Sequence, residues 1–139
     1  MRVISVVGAG GVGKTTVSAA IAVDLARRGL QTLVITVDPA KRLGTALGLE
    51  GVGSDPVETS EPRLWAAMLD AEESWHEVAR RYADPSVARR LEENPFFEAV
   101  AGRFPASQAF AAADTMAEHV GSGRWDAVVV DTPPSAGGV

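Results

Sequence analysis

The stretch Gly8-Ala9-Gly10-Gly11-Val12-Gly13-Lys14-Thr15-Thr16 limits what this chain can become more than any other. It fits the pattern G-x-x-x-x-G-K-[ST], and its surroundings give the match meaning. Before it lies an apolar run, Val3 to Val7, which reads as a buried parallel strand. After it, Val17, Ile21 and Leu25 recur at four-residue spacing, the mark of a helix face. Strand, glycine loop and helix in that order predict an α/β fold, a mostly parallel sheet flanked by helices. A loop without side chains lets the backbone N–H groups of Gly10, Gly11, Val12 and Gly13 converge on an anion. The helix that starts there adds unpaired N–H groups and the positive end of its dipole. On this reading Lys14 reaches the β- and γ-phosphates, the Thr15 hydroxyl ligates Mg²⁺, and Thr16 donates to the α-phosphate. A chance glycine turn is the alternative, and the full strand–loop–helix context weighs against it.

The rest of the chain continues the pattern. The first helix is expected to end near Arg27-Arg28, capped by Gly29. Leu30 to Val37 is a second apolar strand, making a right-handed strand–helix–strand unit. A short helix is expected over 40–47. Residues 48–63 hold three glycines, two prolines and four acids and read as a surface loop without chemistry. Leu64 to Leu69 reads as a third strand. Helices follow over about 71–82, with Trp75, Val78, Ala79 and Tyr82 on the apolar face, and over about 86–93, the two separated by Asp84-Pro85. A longer helix runs from Pro105 to about Gly121, with Phe110, Ala113, Ala117 and Val120 as its stripe. Trp125 to Val130 then forms a strong strand.

Two acids stand at strand ends, where ligands of doubly wound sheets bind. Asp38 follows the second strand. Position alone allows either a helix N-cap or a carboxylate that orients an attacking water. Asp131 follows Ala127-Val128-Val129-Val130, the pattern of an acid that holds Mg²⁺, often through water. His76, His119, Arg80-Arg81 and Arg89-Arg90 read as solvated or edge positions. Trp65, Met68, Trp75, Phe110 and Met116 read as packing residues.

Composition excludes several classes. A net charge of −5 argues against a nucleic-acid surface built on bulk positive charge. The chain has no cysteine, hence no disulfide, thiol nucleophile or cysteine metal site in these residues. No uncharged apolar run approaches a membrane span. No signal peptide is read at the N-terminus, and a cytoplasmic setting is expected.

Taken together, Gly8–Thr16, Asp38-Pro39-Ala40 and Asp131-Thr132-Pro133-Pro134-Ser135 resemble the arsenite-transporting (ArsA) ATPase family. That family includes the guided-entry ATPases for tail-anchored membrane proteins. It belongs to the SIMIBI class of P-loop NTPases, and its loop is the deviant Walker A type. The likeness is greatest to the ArsA-like subunits of actinobacteria. The resemblance implies ATP and Mg²⁺ as cofactors, with ATP over GTP resting on it alone. It implies Asp38 as the switch I aspartate that polarises water and Asp131 as the switch II aspartate. It also implies a dimer that opens and closes with nucleotide state, a protein client, and a membrane link only through partners. The 139 residues would be the N-terminal portion of a single ATPase domain, since family members continue further. The strand carrying Asp131 is then expected to lack a neighbour.

One departure matters. The family's signature lysine would fall at position 9, where this chain has Ala9. That lysine reaches the partner's nucleotide much as an arginine finger does. A homodimer would lack it on both sides, so a heterodimer with a lysine-bearing subunit is expected. Lys41 or Arg42 as a substitute is the lesser reading. The leading function is an ATP-hydrolysing dimeric switch. The alternatives are a nucleotide-binding regulatory subunit with little turnover alone and a positioning ATPase of the ParA/MinD kind. For the client, Phe96, Phe97, Phe110 and Met116 are candidate lining, with core packing preferred.

Overall fold

The computed structural model of the chain describes residues 1–6, 13–37, 42–69, 71–95 and 105–131. Five strands form one sheet: β1 (Arg2–Val6), β2 (Thr32–Thr36), β3 (Val57–Glu58), β4 (Leu64–Met68) and β5 (Ala127–Asp131). Their spatial order is β1-β5-β2-β4-β3. Four strands run parallel, and β3 alone pairs antiparallel, against β4. The helices are α1 (Lys14–Arg27), α2 (Arg42–Ala46), α3 (Ala71–Tyr82), α4 (Pro85–Glu92) and α5 (Pro105–Gly121). The α/β reading of the sequence therefore holds. The two-residue β3 lies in the stretch read as loop, because a segment this short carries no period.

The sheet is covered on both faces, and alternation along each strand assigns side chains to one face or the other. Val34, Ala66, Ala127 and Val129 pack with Ala19, Ala22, Leu25 and Ala26 of α1. Leu33, Ile35, Ala67, Val128 and Val130 form a second cluster with Trp125, against which Trp65, Met116 and Val120 pack. Burial on both faces is why β2 and β5 are continuous apolar runs.

The buried face of α1 keeps Leu25, with Ile21 packed beside it, but is turned away from the expected Val17. Ser18, Ala19, Ala22, Leu25 and Ala26 face the sheet, while Val17 is 48% exposed. Small side chains let the helix lie close to the strands, and that close approach decides the orientation over the larger apolar residues. In α5 the expected stripe holds at Val120, which packs on the second cluster, and fails at Ala113 and Ala117, which are exposed, while Thr115 is buried; the Phe110 side chain lies outside the described residues. On α3, Val78 and Ala79 are buried as expected, but Tyr82 is 69% exposed. Arg81 is not a solvated residue. It pairs with Asp114 and Glu118 of α5, and the Tyr82 hydroxyl donates to Asp114 at 2.8 Å, so the two helices are tied by charge.

The strand carrying Asp131 has neighbours on both sides. β5 sits between β1 and β2, in register from Arg2↔Ala127↔Thr32 to Val6↔Asp131↔Thr36. Among the described residues the edge strands are β1, where Val3 is 51% exposed, and the two-residue β3. Insertion of β5 also separates β1 from β2. The strand–helix–strand unit thus spans one intervening strand.

Candidate nucleotide site

That register brings the carboxyl ends of β1, β5 and β2 to one edge, beside the first turn of α1. Gly13 starts the helix with φ +86°, a left-handed conformation that L side chains rarely adopt. The first helical bond is Val17 N–H to the Gly13 carbonyl at 3.0 Å. No side chain caps the helix amino terminus. An uncapped helix start preceded by a glycine turn suits an anion.

Asp131 closes β5 with its side chain 1% exposed. Its oxygens receive hydroxyl groups from two directions. Thr15 Oγ1 donates to Oδ2 at 2.8 Å, and Thr36 Oγ1 donates to the same oxygen at 3.1 Å. Ser18 Oγ donates to the Lys14 carbonyl at 2.8 Å and lies 3.5 Å from Oδ1. Among the described residues, no lysine, arginine or histidine pairs with this carboxylate. A buried carboxylate satisfied only by neutral hydroxyls has acceptor capacity left for a cation or its water. Thr15 uses its one proton on Asp131, which leaves its oxygen lone pairs for a metal. The residues therefore fit Mg²⁺. Among the described residues no group of three His, Asp or Glu gathers here, so those residues alone do not fill a coordination shell. That suits an ion that arrives with phosphate oxygens.

Thus Lys14, Thr15 and Thr16 occupy the first turn of α1, and Asp131 meets Thr15 across 116 positions of sequence. Gly10, Gly11, Val12 and Asp38 lie outside the described residues, as do Ala9, Lys41, Phe96 and Phe97. β2, which leads to Asp38, ends at Thr36 in register with Asp131. Met116 packs beneath the sheet with the Leu33 cluster, as core packing predicts. Sequence reasoning missed Ser18 and Thr36. Each is a fully buried hydroxyl within an otherwise apolar surface, and that interruption was the available signal.

A cleft of about 380 Å³ lies away from this edge, between α3, α5 and the turn at Ser54-Asp55. Its charges are largely matched to one another, as in Arg81 with Glu118. His119 lines it half-buried, and burial pulls its pKa below the usual histidine value against the opposing pull of Glu118 and Asp55.

The family model of the anion-transporting ATPases, the ArsA ATPases, matches residues 1–138. The chain belongs to this family. A Prosthecochloris vibrioformis protein assigned provisionally as an arsenical pump-driving ATPase is 33% identical over 97% of this chain and 33% of its own length. The arsenical pump-driving ATPase of Acidiphilium multivorum is 36% identical over 56% of this chain and 13% of its own. ATPase GET3 of Rhodotorula glutinis is 30% identical over 97% of this chain and 38% of its own. The chain thus spans about one third of the length of the first of these ArsA relatives. Among the described residues no helix is long and apolar enough to cross a membrane.

Proposed function

We propose that this chain carries the nucleotide site of an ATP-driven switch. It binds ATP with Mg²⁺, promotes hydrolysis to ADP and phosphate, and transmits nucleotide state to a partner or client. The observation that supports this reading is the 2.8 Å hydrogen bond from Thr15 to the buried carboxylate of Asp131. It joins the two motif segments that a phosphate-bound metal requires. Lys14 holds the β- and γ-phosphates, the backbone of Gly10, Gly11, Val12 and Gly13 cradles them, and Thr16 reaches the α-phosphate. Thr15 and Asp131 hold the metal, and Asp38 orients the attacking water. Bound Mg²⁺ would neutralise charge that develops on the phosphate oxygens.

Residues 1–139 make up the N-terminal portion of one ATPase domain, working in the cytoplasm as part of a dimer. The arsenical-pump and GET3 relatives suggest two kinds of output: driving a transporter, or carrying a protein client. The absence of cysteine means that these residues supply no thiolate site for arsenite.

The test is a thermal melt with and without Mg·ADP, on the wild type and on Lys14→Ala. A ligand that binds only the folded state raises the melting temperature by mass action. The expected result is a shift in the wild type alone; equal shifts would remove Lys14 from the site. Unchanged Mg·ATP turnover in Asp38→Asn would end the catalytic assignment of Asp38.

Ala9 favours a second reading, a subunit with little turnover of its own that draws its lysine from a different partner. Ala9→Lys, or addition of that partner, should then raise turnover by about 10³-fold or more, the scale of a trans-acting cation at the transition state. No change from either would exclude it.

A further inference from the structure

We infer that Thr36 is a positioning residue for the metal: its hydroxyl occupies one oxygen of Asp131 and so reserves the other for a metal-bound water. The inference rests on the nucleotide-site reading above and adds a residue that the phosphate-loop pattern does not contain.

The two oxygens of Asp131 are not equivalent. Oδ2 accepts from Thr15 at 2.8 Å and from Thr36 at 3.1 Å. A carboxylate oxygen offers about two lone-pair sites, so Oδ2 is filled. Among the described residues Oδ1 has only Ser18 at 3.5 Å, and the single proton of Ser18 is committed to the Lys14 carbonyl at 2.8 Å. Oδ1 therefore keeps its acceptor capacity at the edge of the sheet where the phosphates are read to bind.

Thr36 is well placed to enforce this asymmetry. It is the last residue of β2, 0% exposed, and its carbonyl accepts the Leu69 N–H at 2.8 Å. Its branched side chain has few rotamers. The terminal torsion of an aspartate is broad, so a carboxylate held by Thr15 alone can turn and exchange its oxygens. A second donor, fixed to a different strand, removes that freedom. Packing alone does not call for a hydroxyl here. Valine has nearly the same shape, and a buried hydroxyl is costly unless it is bonded. Thr36 also stands two residues before Asp38, so the donor that orients Asp131 lies on the strand that delivers the proposed water-orienting acid.

The test is the metal dependence of nucleotide binding in the full chain, read as the ratio of two ADP dissociation constants by calorimetry. One is measured in EDTA and the other in excess Mg²⁺. Thr36→Val should cut the metal-dependent gain in affinity about tenfold, the lower end of what outer-sphere partners contribute to metal affinity. Its affinity in EDTA should match the wild type, and Thr36→Ser should restore the ratio. Should Thr36→Val not fold, Thr36→Ala carries the same expectation. A wild-type ratio in Thr36→Val overturns the inference. So does equal weakening in both conditions, or equal loss in Thr36→Ser, because each makes the role one of packing. Asp131→Asn tells this failure apart from that of the underlying reading. If it too leaves the ratio unchanged, the metal site itself is misassigned.

Discussion

The two ends of the sheet solve opposite problems. At the amino ends of the strands, aromatic and charged groups pack on one another, although the buried Trp125 Nε1 finds no hydrogen-bond partner among the described residues. Arg124 stacks over Trp65 and Trp125 at 4.3 and 4.4 Å from their ring centroids, and the rings meet edge-on at 5.8 Å. Asp126 accepts the Gln31 N–H at 2.9 Å, and its own N–H returns to the Gln31 carbonyl at 2.8 Å. At the carboxyl ends, a buried carboxylate is met, among the described residues, only by hydroxyls, beside a helix that starts at Gly13 without a side-chain cap. One end is closed by its own partners and contributes stability. The other keeps unsatisfied capacity for a charged ligand. The comparison teaches that the proposed nucleotide site lies where, among the described residues, a buried carboxylate has no charged partner, at the carboxyl ends of the strands.

Trp125→Ala should have the largest effect and tests the closed end. The residue is 4% exposed, and emptying such a site costs about 3–5 kcal/mol. Chemical denaturation should show that loss. Below the denaturation transition, ADP affinity should stay at the wild-type value. A large loss of affinity in the folded protein would break the separation between the two ends.

Lys14→Ala tests the open end. Charge-assisted hydrogen bonds contribute about 1.5–3 kcal/mol each, so losing two weakens nucleotide binding at least about 100-fold. Calorimetry with Mg·ADP reads this.

Asp131→Asn sharpens the contrast. It keeps the shape and removes the buried charge. The ligand-free protein should gain about 1 kcal/mol in a denaturant melt while Mg·ATP turnover falls. A loss of stability instead would mean that the hydroxyls fully compensate the carboxylate and that no capacity is reserved.

The smallest effect concerns His119, away from both ends. Burial lowers its folded-state pKa, so the unfolded chain takes up the proton more readily. Stability should therefore fall as pH drops below about 6.5, the value of an unperturbed histidine, and level off below the depressed folded value. His119→Gln should flatten that slope in melts taken across the window, with nucleotide affinity unaffected.

Much of the fold was legible in the chain. Continuous apolar runs marked four of the five strands among the described residues, and Gly29, with φ +91°, ended α1 as its position suggested. Orientation was less legible. Val17 looks like a core residue by size and spacing, yet Ser18 and Ala22 face the sheet. Helix rotation depends on the distance to the strands, which no local pattern records. Arg81 looked solvated because Asp114 and Glu118 lie more than thirty positions away.

For the proposed site, the sequence by itself carried the chemical reading. A glycine loop followed by Lys14 and Thr15 specifies an anion cradle wherever the chain folds as strand, loop and helix, since backbone N–H groups and a short reach suffice. It also named Asp131 as the acid that ends an apolar strand. Only the tertiary structure decided which groups that acid meets. Parallel pairing of β5 with both β1 and β2 sets Asp131 in register with Thr36 and across from Thr15. Pairing register is a property of three strands far apart in the chain. A one-residue slip would turn every one of these side chains to the opposite face, so no single stretch contains the answer.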